Sequence, residues 1–346
     1  MRPLLNTLYV TTEGAWLRKD GENVVIDVEK AESGRLPLHL LSGIVCFGNV
    51  LMSPALMGHC CELGICVSFL TMNGRFLARV EGAVSGNVLL RREQYRCSDD
   101  PSRCAAVVCH ILLGKIHNQR AVIRRAIRDH ASSCSAAESG ALVQADRGLA
   151  HIVERLHRTP DVDSLRGLEG DAARRYFDVF RNLIRVSDAG FQFEGRSRRP
   201  PRDRVNALLS FLYTLVTHDC RSALESVGLD PAVGFLHRDR PGRPGLALDL
   251  AEEFRSVLAD RLALSLINRR QLRPTDFIVA DSGAVTLKDD ARKTVLVAYQ
   301  ERKREPLKHA FCGETAEIGL FPWLQAQLMA RHLRGDLDAY PPFLWK

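Results

Sequence analysis

Cation-binding side chains crowd into one stretch of the chain. His237 closes the sequence GFLH, a loop rich in Arg and Pro follows, and then Asp249, Glu252 and Glu253 fall within five residues of LALDLAEEFR. Leu250, Phe254, Val257 and Leu258 recur at i, i+4, i+7 and i+8, the apolar stripe of an α-helix. On that helix Asp249 has Glu252 at i+3 and Glu253 at i+4, and like charges at those spacings repel by about 0.2–0.5 kcal/mol per pair. A bound cation relieves that repulsion. The same acids would also complement the positive end of a helix dipole, or pair with Arg238, Arg240 or Arg255. The residues alone leave a metal site and an ordinary ion-pair cluster both open.

The elements that must carry this stretch change character along the chain. Up to about residue 90 it reads as strands: Leu8-Tyr9-Val10, a hairpin turn at Asp20-Gly21, a strand over Ile44–Phe47, and Ile65–Leu70 followed by a second turn at Asn73-Gly74. Ser53-Pro54 opens one helix through Leu63, with Ser as N-cap and Pro at the first helical position. The polar stretch 91–103 ends at Pro101 and marks the expected boundary between a β domain (1–95, a scaffold or dimerisation surface) and a helical domain (101–346). The fold class expected is therefore α+β.

Beyond that boundary the apolar period becomes 3.6. Val107, Val108, Ile111, Leu112 and Lys115-Ile116 start a long helix whose polar face carries Arg120, Arg124, Arg125 and Arg128, either a ridge for phosphates or a solvated face. Leu165, Leu168, Ala172, Tyr176, Val179, Phe180 and Leu183 stripe a helix over 164–183, with Glu169 beside the stripe. Arg196, Arg198, Arg199, Arg202 and Arg204 surround Pro200-Pro201, which forbid a helix there, and Asp203 is set to cap the helix that follows. Leu258–Leu272 continues the acidic helix, Phe277–Ala280 and Ala284–Leu287 read as a hairpin, Ala291–Lys303 as a helix and Glu314–Leu333 as the last long helix.

Composition narrows the class. Hydrophobic content of 46% and charged content of 26% fit a soluble globular protein, and 346 residues suffice for two cores. The net charge of +7 is uneven: residues 1–100 carry 10 Lys/Arg against 11 Asp/Glu, leaving 38 against 30 for the rest. A basic excess in the second part suits a polyanion partner. No apolar run reaches the roughly 18 residues of a membrane span, and MRPLLNTLYV lacks the pattern of a signal peptide. Ten cysteines in a chain of this length read as reduced thiols of a cytoplasmic protein. Cys60, Cys61 and Cys66 lie near His59 but lack the paired C-x-x-C spacing of structural zinc, and read as small buried hydrophobes. There is no Gly-rich phosphate loop and no Ser-His-Asp or Cys-His nucleophile pattern.

GFLH, the short Arg/Pro/Gly loop and LALDLAEEFR together resemble the signature of the CRISPR-associated integrase, the metal-dependent nuclease subunit of the spacer-acquisition complex. MRPLLNTLYVTTEGAWLRKDGENV, LRGLEGDAARRYF, RPPRDRVNALLSFLYTLV and DFIVADSGAVTLKDDARKTVLVAYQERK resemble the same family in order and nearly end to end, with the flavour of its type I-C subgroup. The resemblance implies an N-terminal β domain followed by an α-helical catalytic domain, in line with the element pattern. It also implies the ligands of a metal ion. LRGLEG looks like the segment carrying the first metal-binding carboxylate, at Glu169, and His237 belongs to the second segment. The family's motif has a metal-binding carboxylate three residues after a helical Asp, here Glu252. Helical geometry agrees: at about 100° per residue, Glu252 projects almost opposite the stripe, toward a cleft, while Asp249 and Glu253 lie nearer its edge. Asp249 is then expected to orient a ligand or an Arg, and Glu253 to pair with a nearby Arg.

One His and two carboxylates leave coordination positions for a phosphate oxygen and an attacking oxygen, so the ion serves as Lewis acid, template and activator of the nucleophile. Hard oxygen ligands favour Mg²⁺ or Mn²⁺, and the imidazole tilts toward Mn²⁺. The resemblance implies attack by a DNA 3′-hydroxyl that joins a captured fragment into a CRISPR repeat array, for antiviral defence. With water as nucleophile the same site is an endonuclease. It also implies a homodimer, a small ferredoxin-like partner subunit, and double-stranded fragments and repeat DNA as substrates. Arg196, Arg198, Arg199, Arg202, Arg238 and Arg240 are expected at DNA phosphates. The alternatives are a nucleic-acid-binding scaffold without activity, a structure-specific nuclease of DNA repair, and a small-molecule metallohydrolase. Metal-dependent cleavage of branched DNA and a strong salt dependence of polynucleotide binding separate them.

Overall fold

The computed structural model describes residues 6–72, 74, 76–82, 88–129, 134–159, 161–186, 188–197 and 200–345. Its first part is built from β1 (Thr7–Val10), β2 (Trp16–Asp20), β3 (Asn23–Val28), β4 (Ala31–Pro37), β5 (Gly43–Phe47), β6 (Leu51–Met52), helix α1 (Pro54–Leu63), β7 (Cys66–Leu70) and β8 (Phe76–Val80). One sheet runs β1-β5-β7-β8 and the other β4-β3-β2-β6. The β2–β3 hairpin turns at Asp20-Gly21, where Gly21 supplies φ +57°. Ser53 caps α1 through its Oγ, with Pro54 at the first helical position, as its sequence signal requires. Of the second expected turn, Asn73 lies outside the described residues.

Strand β5 explains how this part joins the rest. It pairs in parallel with both β1 and β7, and all five of its residues are buried. Ile44 and Cys46 point into a core shared by the two sheets and α1, while Val45 and Phe47 point into the core of the helical region. A strand covered on both faces must be apolar throughout, which is why GIVCF shows no alternation. Phe47 meets Phe211 of the helical part with ring centroids 5.9 Å apart.

The helical part comprises α2 (Val88–Asp99), α3 (Pro101–Asp129), α4 (Ala136–Leu156), α5 (Val162–Asp178), α6 (Arg204–Ser226), α7 (Gly245–Phe254), α8 (Arg261–Asn268), α9 (Asp289–Lys303) and α10 (Phe321–Leu333). Two small antiparallel hairpins, β9 (Phe277–Val279) with β10 (Val285–Leu287) and β11 (Pro306–Lys308) with β12 (Thr315–Glu317), interrupt it. The class is α+β, strand-rich first and mostly helical after. Asp203 caps α6 by accepting from the Asn206 N–H.

Three element boundaries differ from the sequence expectation. The helix expected from Glu314 begins at Phe321, because Thr315–Glu317 pairs with Pro306–Lys308 instead. The helix expected to reach Leu183 ends at Asp178 and tightens into a 3₁₀ turn over Phe180–Leu183. The acidic helix does not run on smoothly either: a π-helical turn over Arg255–Asp260 separates α7 from α8. Such turns insert an extra residue into the helical repeat and re-aim the side chains after them.

Candidate active site

The loop carrying His237 is fixed by four side chains from three helices. Gln94 of α2, fully buried, donates from Nε2 to the Asp230 and Val233 carbonyls at 2.8 Å each and accepts from the Asp230 N–H at 2.9 Å. Ser98 donates to the Gly234 carbonyl at 3.1 Å, and Arg166 of α5 donates to the Leu236 carbonyl at 2.7 Å. Asp249 of α7 closes the loop from beneath. Its Oδ2 accepts from the N–H groups of Phe235 (2.6 Å) and Leu236 (3.0 Å), and its Oδ1 from that of His237 (3.0 Å). This approach needs two glycines. A Cβ on Gly234 would stand 2.7 Å from the Gly245 carbonyl carbon and 2.9 Å from Asp249 Oδ2, and one on Gly245 would stand 2.7 Å from the Ala232 oxygen.

Asp249 also decides what His237 can do. Its Oδ1 lies 2.6 Å from Nδ1 of the imidazole. A carboxylate there accepts a hydrogen bond from Nδ1–H and selects the tautomer whose Nε2 carries the lone pair. Nε2 faces Glu252, 4.0 Å from Oε1.

Glu252 and Glu169 come together on Lys115 of α3. The Lys115 ammonium contacts Glu169 Oε1 and lies 2.8 Å from Glu252 Oε2, while the Arg255 guanidinium contacts Glu252 Oε1. Glu252 is only 3% exposed. Burial alone would raise its pKa, but Arg255, Lys115 and His237 outweigh it and hold the carboxyl down at about 2. Lys115 is held above the usual ammonium range, since Glu252 and Glu169 overcome its own desolvation. Among the described residues no three His, Cys, Asp or Glu side chains stand together as a ready ligand group. Instead Lys115 stands between the two carboxylates, and His237 leans toward Asp249.

Lys115 was absent from the sequence-based candidates. Its signal was its position: i+4 from Ile111 and i+3 from Leu112, on the apolar face of α3. A lysine on a buried face needs carboxylates beside it. Glu253 corrects an expectation. Among the described residues it pairs with no Arg; it is fully buried, accepting from the Tyr340 hydroxyl (2.6 Å), the Phe343 N–H (2.6 Å) and the Gln325 amide (3.1 Å). Burial outweighs these donors and raises its pKa to about 8. The angular reading of α7 fails for the same reason, since every residue of Gly245–Phe254 except Leu248 is buried and no solvated face exists.

The family described as CRISPR associated protein Cas1 matches residues 8–301. The chain belongs to that family. The CRISPR-associated endonuclease Cas1 2 of Rhodospirillum rubrum is 61% identical over 347 residues, covering 100% of both chains. A casposase bound to integration product is similar in fold, with a TM-score of 0.84, 19% identity, and coverage of 99% of this chain and 94% of that one. A Cas6-RT-Cas1–Cas2 complex gives 0.80 and 24%, covering 99% of this chain and 36% of that one.

In this Cas1 family member the arginines divide by what they touch. Arg196 is turned inward onto Asn206 Oδ1 (2.5 Å) and Ser210 Oγ (3.2 Å), and lies over the Tyr213 ring. Arg238 is exposed and reaches Asp163 at 2.8 Å, while Arg202 and Arg240 are exposed. Arg198 and Arg199 lie outside the described residues. On the α3 ridge, Arg120 and Arg124 hold Asp146 of α4, and Arg125 and Arg128 hold Asp129. Two basic grooves escaped the sequence reading. One, of about 640 Å³, is lined by Arg155, Arg158, Arg174 and Arg175 along α4 and α5. The other, of about 710 Å³, brings Arg240 together with Arg79, Arg221 and Arg243. His59 pairs with Glu22 and Glu62, and all ten cysteines are free. Among the described residues no helix is long and apolar enough to cross a membrane.

Proposed function

We propose that this chain is a metal-dependent DNA endonuclease and integrase, which joins short captured fragments into a CRISPR repeat array by attack of a DNA 3′-hydroxyl on a phosphodiester. The observation that carries this reading is that Glu169 of α5 and Glu252 of α7 share the Lys115 ammonium while His237 Nε2 lies 4.0 Å from Glu252 Oε1, with Asp249 engaging Nδ1. The residues fit a divalent ion. Their donors are carboxylate oxygens and an imidazole nitrogen, suited to Mg²⁺ or Mn²⁺. A cationic group already stands between the two carboxylates.

Glu169, His237 and Glu252 would hold the ion, which supplies Lewis acidity at the phosphate and lowers the pKa of the attacking oxygen. Asp249 keeps the imidazole in one tautomer and one orientation. Arg255 offsets the charge of Glu252 so that the carboxylate can stay buried. The exposed Arg202, Arg238 and Arg240, with Arg198 and Arg199, grip phosphates and set the DNA register without reading bases. The basic grooves along α5 and beside Arg240 support a DNA path on this surface.

The name of the Rhodospirillum rubrum relative, an endonuclease, and the integration product held by the structurally similar casposase support both halves of the activity. We assign residues 1–95 to a scaffold and homodimer surface and 101–346 to catalysis. A small ferredoxin-like subunit bridges the dimers, a reading supported by the Cas1–Cas2 complex of similar fold. The protein works in the cytoplasm. The test is joining of a 3′-hydroxyl fragment to repeat-bearing plasmid with Mn²⁺. Joining and cleavage should both stop in excess EDTA, and full activity there would sink the reading.

A further inference from the structure

Beneath Lys115 lies a cavity of about 20 Å³, bordered by Lys115, Gln119, Glu252, Arg255, Ser256 and Asp260. That is room for one water-sized group. Several polar atoms at its edge are buried without a hydrogen-bond partner among the described residues: Gln119 Oε1, Ser256 Oγ and Arg255 Nε. Gln119 is 4% exposed and Ser256 2%. Gln119 follows Lys115 by one helical turn, on the same face of α3. On the far side Asp260 accepts from Tyr213 at 2.6 Å and Tyr176 at 3.1 Å. Orphan acceptors in a buried pocket are costly, and here they border the same cavity as a flexible ammonium.

The upper position of that ammonium conflicts with a metal ion. Lys115 uses one oxygen of Glu169 and one of Glu252. An ion held by those oxygens would need the lone pairs that the ammonium engages. It would also put three cationic groups, itself, Lys115 and Arg255, against two carboxylates.

We propose that Lys115 is a tethered cation with two berths: between Glu169 and Glu252 in the metal-free protein, and on Gln119 Oε1 and Ser256 Oγ in the cavity beneath once a divalent ion takes the carboxylates. The inference rests on the metal-site reading above. In the first berth the ammonium keeps two carboxylates together that would otherwise repel. In the second it gives the orphan acceptors a donor. Lysine suits the exchange because its charge is compact and its stem is flexible. Lys115 thus sets metal affinity without being a ligand.

The test is Mn²⁺ binding to the full-length protein without DNA, by calorimetry and by the electron paramagnetic resonance signal of bound Mn²⁺. Lys115→Met removes the competitor and should tighten binding by about tenfold, the lower end of the effects that groups around a metal ligand exert. Gln119→Leu with Ser256→Ala removes the second berth and should weaken binding by a similar factor. In the Lys115→Met background the same pair should change nothing, since no ammonium is left to relocate. Weaker or unchanged binding by Lys115→Met overturns the proposal, as does a Gln119/Ser256 effect that persists without Lys115. If Lys115→Met does not fold, the Gln119→Leu/Ser256→Ala protein decides alone, and unchanged binding overturns the proposal. Absence of Mn²⁺ binding in the parent, or binding that survives Glu169→Ala, removes the metal-site reading itself. Parent binding that Glu169→Ala abolishes while Lys115→Met fails to tighten it removes only the two berths.

Discussion

Asp249 holds His237 at two points with one oxygen: Oδ1 accepts the backbone N–H at 3.0 Å and lies 2.6 Å from the ring Nδ1. The other oxygen takes two further N–H groups of the same loop. Loop shape and imidazole orientation are thus one property of one buried carboxylate. Asp249→Asn turns an N–H₂ toward donors that need an acceptor. Hydrogen bonds to a charged group contribute about 1.5–3 kcal/mol each, so chemical denaturation should show a clear loss of stability. Cleavage should fall about 10–100-fold, the range for groups behind a metal ligand. Parent-like stability and activity would break the link between loop and site.

Glu252 and His237 should separate by stability although both are needed for activity. Glu169→Ala, His237→Ala and Glu252→Gln should each abolish cleavage and joining. His237 has 18% of its side chain exposed and makes its main contact with Asp249 alone. Its loss should leave thermal stability near the parent. Glu252→Gln removes a buried charge that two cations, buried Lys115 and partly buried Arg255, share. Breaking a buried pair on one side costs about 3–5 kcal/mol, so this variant should melt well below His237→Ala in metal-free buffer. Equal melting temperatures would show that Lys115 and Arg255 find other partners.

Local signals made much of the fold readable. The Ser53 and Asp203 caps and the Asp20-Gly21 turn each depend on a few adjacent residues, and each has the expected geometry. The site was harder because its contacts are distant in sequence. Lys115 meets Glu169 and Glu252 across three helices, and Gln94 reaches the His237 loop from α2. Neither pairing leaves a trace in periodicity. Glu253 misled because a carboxylate at the edge of the apolar stripe reads as a partner for a nearby Arg. Here the C-terminal segment covers that side of α7: Phe343 stacks on Phe254 at 5.1 Å, and Tyr340 reaches Glu253. The π turn after Phe254 was unreadable for a related reason, since its residues carry an ordinary helical pattern.

Glu253 gives the C-terminal segment a pH dependence. Its pKa rises from 4.5 to about 8 on folding, because burial outweighs the donors from Tyr340, Phe343 and Gln325. Between those values the native state keeps a proton that the unfolded chain releases. The stabilisation is therefore complete below about 4.5 and is lost as pH rises through about 8. Glu253→Gln has no such proton. Melting curves from about pH 5 to about pH 9 should show the parent losing stability relative to Glu253→Gln as pH rises. A constant difference between the two proteins would mean that the carboxyl is already ionised in the fold.

The arginines predicted from sequence should divide when salt dependence is measured. Each phosphate contact contributes about 0.9 to the slope of log binding constant against log salt on duplex DNA. Arg240 is exposed and joins Arg79, Arg221 and Arg243 in a basic groove. Arg240→Ala should weaken duplex binding alike for unrelated sequences and flatten the slope by about one unit. Arg196 faces the other way. It bonds Asn206 and Ser210 near the start of α6 and lies over Tyr213, whose hydroxyl reaches Asp260. Arg196→Ala should leave the salt slope unchanged and lower the melting temperature. A reduced slope with unchanged stability would show that Arg196 turns outward to DNA and that its inward contacts are dispensable.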